Sequence, residues 1–208
     1  MKRVLTATVC VALFALVGMA SAKVLTFDDL PSIPYDGTNE PVAPIGTYGG
    51  FTWSAQGGAC GGQSDFRYTN PHDLHDYYNI TTGSGFANGR KSEPHVAYND
   101  CANQVTIFGG AFDFKGVWLT AAWRNDLNIT VEGYSGGILM YSETVVVNPF
   151  EAQWFHFNFL DIDTLAFTSF GGSDAGLAFD YANFVMDDFT FTVKGKAMPW
   201  ISLLLLGY

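Results

Sequence analysis

The chain has 208 residues, 48% of them hydrophobic, and a formal net charge of −10 from 20 acidic and 10 basic residues. This length suits a single domain, because all-β sandwiches of about 200 residues often form one unit. The acidity excludes nucleic acid and anionic membrane surfaces as partners, since both would repel such a chain. We interpret the charge as a means of keeping an exported protein soluble.

The first 22 residues have the pattern of a secretory signal peptide. Lys2 and Arg3 form a basic start, an apolar run follows, and Ala20-Ser21-Ala22 is a small-residue cleavage site. No stop-transfer pattern follows, so we expect cleavage after Ala22, secretion to the extracellular space or cell surface, and no membrane span in the mature chain. Cleavage removes two basic residues and no acidic one, which leaves eight basic and 20 acidic residues and a charge of −12.

Two cysteines remain in the expected mature chain, Cys60 and Cys101, because Cys10 lies in the signal segment. In an oxidising compartment, a single pair of cysteines is most economically a disulfide. Closing this loop would stabilise the fold by about 4 kcal/mol on the chain-entropy model. A zinc site built on the same pair would also need suitably placed His or carboxylate partners, so the disulfide is favoured.

Residues 57–90 are rich in glycine, asparagine and aspartate, and no apolar period survives there for more than a few residues. Turn chemistry of this kind predicts a set of surface loops, held by the predicted disulfide. Loops are also where function most often resides. We find no helical period after the signal peptide.

The second half of the chain alternates between apolar and polar residues. The segment 127–134 places Leu127, Ile129 and Val131 on one face, and several aromatic-rich runs alternate in the same way. Gly136-Gly137 separates two such runs, which predicts a hairpin. This spacing of strands and turns predicts an all-β fold, an antiparallel β-sandwich of jelly-roll type.

These patterns divide the chain into a signal peptide (1–22), one sandwich domain (23–195) and a short apolar tail (196–208). The apolar run in the tail, Ile201–Leu206, is shorter than the roughly 10 to 20 residues of a GPI-anchor signal. We therefore interpret it as an interfacial tail or a truncated anchor.

Aromatic residues make up 16% of the chain. Most phenylalanines fall on the inward phase of predicted strands, where they are expected to fill the core. Tyr77, Tyr78, Trp123 and Tyr134 are exceptions, because they lie at strand ends or in the loop region. We predict these four as candidate ligand-binding residues, since sugar rings commonly stack on such aromatics. Surface tyrosines without a ligand are the alternative.

Adjacent aspartates interrupt apolar strands near both ends of the mature chain: Asp28-Asp29 in VLTFDDL and Asp187-Asp188 in FVMDDFTFTV. Strict alternation directs Asp29 and Asp187 toward the core, and an unpaired buried carboxylate costs several kcal/mol. A hard cation would compensate, and Ca²⁺ takes six to eight oxygen ligands. In the alternative, which needs no metal, each aspartate caps a turn or pairs with Lys or Arg.

The order LTFDDL, then YGGFTW, then a late VMDDFTF resembles the galactose-binding-like jelly rolls, a group that includes many carbohydrate-binding modules. The resemblance covers most of residues 24–193. It implies a structural Ca²⁺ that joins the first and last strands, and a glycan or another extracellular surface component as partner. The same order is similar to exported bacterial proteins of the PEP-CTERM type, although this chain lacks their Pro-Glu-Pro motif, transmembrane helix and basic tail.

His72 and His75 are interleaved with Asp73 and Asp76, a spacing that could ligate zinc if the segment were a helix. The segment begins with Pro71 and lies among turn residues, so we expect a polar surface loop instead. His95 and His156 stand alone in the sequence, and we expect both on the surface.

Catalytic signatures are missing from the sequence: it contains no G-x-S-x-G elbow, no HExxH and no phosphate-binding glycine loop. A glycosidase needs two carboxylates that face each other. Asp113, Glu132 and Glu143 lie in strand regions, but the sequence does not show whether any two of them face each other. We therefore expect a non-catalytic binding protein, with a structural cell-surface or matrix protein and a secreted glycoside hydrolase or lyase as alternatives.

Two segments, Asn79-Ile80-Thr81 and Asn128-Ile129-Thr130, match the acceptor pattern for N-glycosylation. Both asparagines are predicted acceptors if the source is eukaryotic.

Overall fold

A computed structural model describes residues 21–56, 66–81 and 83–194. These residues form eleven strands and three short helices, numbered here in chain order. The strands are β1 (Lys23–Leu25), β2 (Val42–Pro44), β3 (Gly46–Tyr48), β4 (Phe51–Gln56), β5 (Phe66–Thr69), β6 (Val96–Asn99), β7 (Gln104–Ala121), β8 (Arg124–Ser135), β9 (Ile138–Val147), β10 (Gln153–Asp174) and β11 (Phe184–Val193). The helices are α1 (Pro71–Tyr78), α2 (Gly85–Gly89) and a 3-10 helix at Asp100–Ala102.

The strands pair antiparallel and form two layers, which confirms the predicted β-sandwich. Layer A has the order β2-β5-β6-β11-β7-β10 and uses the second half of β7 and the first half of β10. Layer B has the order β3-β4-β7-β10-β8-β9 and uses the other halves. In β7 the change of layer occurs around Gly109-Gly110, between the residues that pair with β4 and those that pair with β11. Glycine in a strand interior commonly marks such a bend.

Phenylalanine fills the core between the layers, as the alternation predicted. Leu127, Ile129 and Val131 are fully buried on one face of β8, and each such side chain contributes about 1.5–3 kcal/mol by leaving water. The largest fully buried side chains include nine phenylalanines: Phe27, Phe66, Phe112, Phe114, Phe159, Phe167, Phe184, Phe189 and Phe191. These rings are committed to the core and are not available to a ligand.

Strand β11 departs from strict alternation at its aspartate pair. The pairing register with β7 shifts between Asp187 and Thr190, and Asp188 has a left-handed φ of 52°. One extra residue in a strand reverses the faces beyond it. Met186 and Phe189 therefore both enter the main core, whereas Asp187 lies on the outer side of layer A. The prediction that strict alternation directs Asp187 toward the core was wrong about its face, although its side chain is fully buried.

The two ends of the described chain are joined by strand pairing. Strand β1 pairs with β11 from Lys23 to Leu25, opposite Phe189–Phe191. The chain leaves β1 before the first aspartate pair, because Phe27 takes a left-handed φ of 65° to bury its ring. Asp29 is consequently exposed rather than directed into the core, which corrects the phase assigned to it from the sequence.

The region expected to consist only of loops contains β5 and two helices, so that part of the prediction was wrong. Helix α1 begins with Pro71, and the Asn70 side chain accepts a hydrogen bond from the backbone N–H of His72. An N-cap asparagine followed by proline is a recognised start signal. That signal was present in the sequence, but the short helix has too few apolar residues to show a period.

Helix α2 packs directly on the end of β7. The backbone N–H of Gly85 donates to the carbonyl of Ala122 at 2.9 Å, and a Cβ at this position would overlap the carbonyl oxygen of Ala121. The neighbouring Phe86 belongs to a second apolar cluster on the outer side of layer A, together with Tyr98 and Trp123. Gly85 thus allows the helix to approach closely enough to place Phe86 on the sheet.

We expect Gly85→Ala to lower the free energy of unfolding by about 2–3 kcal/mol, because the new methyl group overlaps backbone that cannot rotate away. Urea denaturation measures this change. Gly83→Ala is the matched control, since the nearest atom to its new Cβ lies 3.9 Å away, and it should change stability by less than about 0.5 kcal/mol. Equal stability of the two variants would contradict the close packing of α2.

Candidate functional site

A cleft of about 510 Å³ opens on the outer side of layer A, where α1, α2 and the segment 175–183 come together. Aromatic, apolar and polar side chains line it: Glu40, Arg67, Leu74, Tyr78, Phe86, Tyr98, Asp100, Cys101, Trp123, Phe179, Tyr181 and Asn183. Apolar walls with a few polar groups are the usual composition of a small-ligand site.

One wall of the cleft is a run of aromatic rings. Phe179 contacts Tyr78 edge-on, with ring centroids 5.1 Å apart, and stacks on Tyr181 at 5.9 Å with an interplanar angle of 23°. Tyr181 is 59% exposed and Tyr78 is 40% exposed. Large aromatic surface left in water at this level is available for a ligand to cover.

The floor of the cleft is rigid and buried. Phe86 lies between Tyr98 and Trp123, with ring centroids 5.0 and 5.5 Å away, and all three side chains are at most 4% exposed. Trp123 also contacts Phe179 edge-on at 5.1 Å. The floor therefore fixes the position of the exposed wall through direct ring contacts.

Polar groups in the cleft are held in pairs. The Tyr78 hydroxyl donates to the Glu40 carboxylate at 2.5 Å, and burial together with this bond raises the pKa of Tyr78. Nε of Arg67 lies 3.2 Å from the Asp100 carboxylate. Glu40 and Asp100 are hydrogen-bond acceptors, and the Arg67 guanidinium is a donor. The cleft thus offers flat apolar surfaces beside fixed acceptors and a donor.

The structure brings two of the four predicted ligand-binding residues together. Tyr78 and Trp123 both line the cleft. Tyr77 lies beside Tyr78 but contacts Tyr35, with ring centroids 5.6 Å apart. Tyr134 is far from them in the fold, on the outer side of layer B, where its hydroxyl donates to Glu132. The role of all four residues as ligand contacts stays a prediction.

Sequence reasoning missed Phe179 and Tyr181, which form most of the exposed wall. They stand two residues apart in an irregular segment before β11, so no strand or helix period singled them out. The alternation F-D-Y-A-N in this segment, with aromatics at i and i+2, was the available signal.

The aspartate pairs hold the segment 91–95 against the ends of the chain. Both oxygens of Asp187 are occupied: Oδ2 accepts from the backbone N–H groups of Lys91 and Ser92, and Oδ1 accepts from the Ser92 hydroxyl and the Asp188 N–H. Asp28 accepts from the backbone N–H of His95 at 3.1 Å. We call these contacts the clasp, defined by Asp28, residues 91–95 and Asp187.

Burial dominates the electrostatics of the clasp. It raises the pKa of Asp187 to about 7, against the hydrogen bonds from Ser92 and Lys91, which lower it. Burial also raises the pKa of Asp188, and the nearby charge of Asp28 adds to that rise. Asp29, by contrast, is exposed and accepts a hydrogen bond from the Tyr48 hydroxyl.

Across the described residues, no group of three or more His, Cys, Asp or Glu side chains is gathered in a way that could hold a metal ion. A Ca²⁺ ion at the clasp would therefore draw most of its oxygen ligands from backbone carbonyls and water. The calcium site predicted at Asp28, Asp29, Asp187 and Asp188 stays a prediction.

The histidines of α1 bond to neighbours other than each other. His72 lies 3.4 Å from Asp76, and Nε2 of His75 is 2.7 Å from the Ser84 hydroxyl. His95, expected on the surface, is 2% exposed and packs edge-on against Tyr68. This arrangement does not resemble a zinc site.

The strand acids do not form a catalytic pair. Asp113 lies within 3.4 Å of the ammonium groups of Lys115 and Lys194. Glu132 accepts the hydroxyl of Tyr134 on the outer side of layer B, whereas Glu143 is in register with the buried Val131 and so lies on the opposite face.

The predicted disulfide and glycosylation sites are described only in part. Cys60 lies outside the described residues, so its pairing with Cys101 stays a prediction. Asn79 is exposed at the end of α1, and Asn128 is half-buried on β8. Glycosylation of either asparagine also stays a prediction. The signal peptide (through residue 20) and the apolar tail (196–208) lie outside the described residues as well.

No family model and no curated protein matches the chain. Solved structures with a similar fold include TmCBM61 in complex with β-1,4-galactotriose, with a TM-score of 0.37 and 11% identity over 71% of this chain and 92% of that chain. A CBM4 structure has a TM-score of 0.30 and 11% identity over 69% of this chain and 86% of that chain. Both are carbohydrate-binding modules, but similarities this distant do not bear on the ligand of this chain.

In the part of the chain that the structure describes, no helix is long and apolar enough to cross a bilayer.

Proposed function

We propose that the chain is a secreted, non-catalytic β-sandwich that binds carbohydrate, on an extracellular glycan or another cell-surface component, through the cleft on layer A. The observation that carries the proposal is the exposed ring of Tyr181, stacked on Phe179 beside the fixed polar groups Glu40, Arg67 and Asp100. Sugar rings combine an apolar face with hydroxyl groups at the edge. An exposed aromatic wall next to rigid acceptors and a donor complements both features.

The pairing of the carboxylates in the cleft favours binding over hydrolysis. Glu40 accepts the Tyr78 hydroxyl, and Asp100 is paired with Arg67. A glycosidase needs one carboxyl group that can donate a proton and a second that can attack or activate water. Carboxylates engaged in this way instead serve as fixed acceptors for sugar hydroxyls.

A glycan array of the protein beginning at Lys23 tests the proposal. Retention on at least one neutral glycan is the expected result. Retention on none would contradict carbohydrate binding and favour a structural cell-surface or matrix protein. Turnover of a polysaccharide panel would contradict the non-catalytic assignment.

We further propose that Ca²⁺ binds between Asp28 and Asp188. The support is electrostatic: burial and, to a lesser degree, the charge of Asp28 raise the pKa of Asp188, and a divalent cation would stabilise both carboxylates. Asp187 is less suited to the role, since four protein donors already occupy its oxygens.

EDTA is expected to lower the melting temperature by several degrees, because it removes an ion that stabilises the folded state by mass action. Differential scanning calorimetry measures the shift. Asp188→Asn should abolish it, since asparagine tolerates the left-handed φ but carries no charge, and Asp29→Asn is the control that keeps it. Identical melting curves in EDTA and in excess CaCl₂ would rule out the ion.

A further inference from the structure

Among the side chains with hydroxyl or amide groups on the outer side of layer B, six lie in neighbouring rows across four strands. Thr144 of β9 pairs with Thr130 of β8, which pairs in turn with Thr168 of β10. Thr164 of β10 also belongs to this set. Strand β7, which pairs with β10, supplies the other two residues, Gln104 and Thr106. We call this surface the threonine face, formed by Gln104, Thr106, Thr130, Thr144, Thr164 and Thr168; all six are at least partly exposed.

Hydrogen bonds across the strands order this face. The hydroxyls of Thr130 and Thr144 are 2.8 Å apart, and the Gln104 amide donates to the Thr168 hydroxyl at 2.9 Å. A threonine hydroxyl can donate one hydrogen bond and accept two, so each keeps capacity for a partner from outside. A regular array of fixed hydroxyl and amide groups is therefore presented to solvent.

Exposed aromatic rings mark the two ends of the threonine face. Phe108 is 44% exposed and pairs in register with Thr164, and Phe170 is 48% exposed six residues further along β10. At about 3.4 Å per residue, the two rings are separated by roughly 20 Å along the strand direction. Between them lies a shallow groove of about 230 Å³, lined in part by Tyr134 and Thr106.

The threonine face contains no basic residue, and the carboxylate of Asp163 beside it accepts the Thr164 hydroxyl at 2.8 Å. The six side chains of the face lie in three rows, where a row is a set of residues paired in register from one strand to the next. In the described part of those rows, from β9 to β4, Glu132 is the one charged residue, and its carboxylate accepts the Tyr134 hydroxyl at 2.8 Å. A surface without net positive charge offers nothing to an acidic polymer, and the hydroxyl groups suit a neutral, hydroxyl-rich one.

We propose that the threonine face is a second carbohydrate site, separate from the cleft, that binds one extended chain of a neutral polysaccharide. Sugar rings stack on Phe108 and Phe170, and the threonine hydroxyls bond to sugar hydroxyls between them. The span of roughly 20 Å exceeds a single sugar ring, so the site selects polymers over monosaccharides. A second copy of the chain fits less well, because the centres of homodimer interfaces are more apolar than this face.

Affinity electrophoresis tests the proposal, with the protein beginning at Lys23 run through native gels that contain β-1,4-galactan, laminarin, hydroxyethyl cellulose or polygalacturonate. We expect retardation by at least one neutral polymer and none by polygalacturonate. The double variant Phe108→Ala/Phe170→Ala should weaken retardation at least fivefold, and Thr106→Glu should do the same by adding a charge. Phe150→Ala is the matched control, since Phe150 is also exposed but lies outside both sites.

The cleft variant Tyr181→Ala separates the two sites, because the threonine face does not depend on the cleft. Retardation that survives Tyr181→Ala but is lost in the double variant supports the second site. Retardation lost in Tyr181→Ala and unchanged in the double variant overturns it. The proposal is also overturned if no neutral polymer retards the protein. A dimer in light scattering that the double variant dissociates also overturns it, since the face would then be an interface between copies.

Discussion

Replacing Tyr181 by alanine is expected to weaken binding of the preferred neutral oligosaccharide about tenfold, or by roughly 1.4 kcal/mol, with no change in melting temperature. The ring is 59% exposed and stacks only along the cleft wall, so its removal takes away ligand contact but little of the core. Isothermal titration calorimetry with the best glycan from the array measures the change. A panel of cellotriose, laminaritriose, xylotriose and β-1,4-galactotriose provides starting ligands.

Two further variants define what the tyrosine ring contributes. Tyr181→Phe keeps the stacking surface and should retain affinity within about twofold. Phe150→Ala removes a ring that is also 59% exposed but lies elsewhere, and should leave binding unchanged. Loss of affinity in Phe150→Ala, or full affinity in Tyr181→Ala, would contradict the assignment of the cleft.

Replacing Asp187 by alanine is expected to lower the free energy of unfolding by about 3 kcal/mol at pH 7. The carboxylate accepts four hydrogen bonds, and its loss leaves the backbone N–H groups of Lys91 and Ser92 without their acceptor. Buried donors that lose their partner cost about 1–3 kcal/mol each. The variant also no longer buries the charge of Asp187, which recovers part of the lost free energy of unfolding. Guanidinium denaturation gives the value.

Asp174→Ala is the matched control, because Asp174 is exposed and accepts one local hydrogen bond from the N–H of Gly176. It should change stability by less than about 0.5 kcal/mol. A loss below about 1 kcal/mol in Asp187→Ala would mean that the clasp does not hold the ends of the domain.

The pH dependence of the clasp has a defined sign. Burial raises the pKa of Asp187 to about 7 from an ordinary value of 3.8, so the folded state holds this proton more tightly than the unfolded state. The stabilisation that comes from binding this proton is greatest below pH 3.8 and is lost as the pH rises through about 7, whereas the hydrogen bonds to the carboxyl group remain. The difference in stability between wild type and Asp187→Asn should follow this trend between pH 4 and pH 7.

Much of the fold could be predicted because strand periodicity reports burial directly. The alternation of Leu127, Ile129 and Val131 placed β8 correctly, and Gly136-Gly137 forms the predicted hairpin, with both φ angles positive. Each of these signals is local. When one face of a strand is buried, the alternation of apolar and polar residues can be recognised from the residues of that strand alone.

The errors arose where a single residue changes the phase or where an element is very short. The left-handed backbone at Asp188 reverses the faces of β11, and aspartate tolerates this conformation without a glycine to signal it. Helix α1 has eight residues, of which Pro71 and Leu74 are buried. Two buried residues are too few to produce a helical period.

The candidate site could be predicted only in part, because its residues come from distant segments. Tyr78 and Trp123 were identifiable as aromatics outside the core pattern. Their meeting at Phe179 depends on how α1, the end of β7 and the segment 175–183 pack together. Such long-range proximity leaves no local trace in a single sequence.

The most direct test of the carbohydrate-binding cleft is a titration of the ¹⁵N-labelled protein with the best neutral oligosaccharide, followed by NMR. The account predicts saturable shift changes at the indole N–H of Trp123 and at backbone amides of residues 177–183, with the titration midpoint about tenfold higher in Tyr181→Ala. Saturable binding that leaves these signals unmoved, or no binding by any neutral glycan, would contradict it.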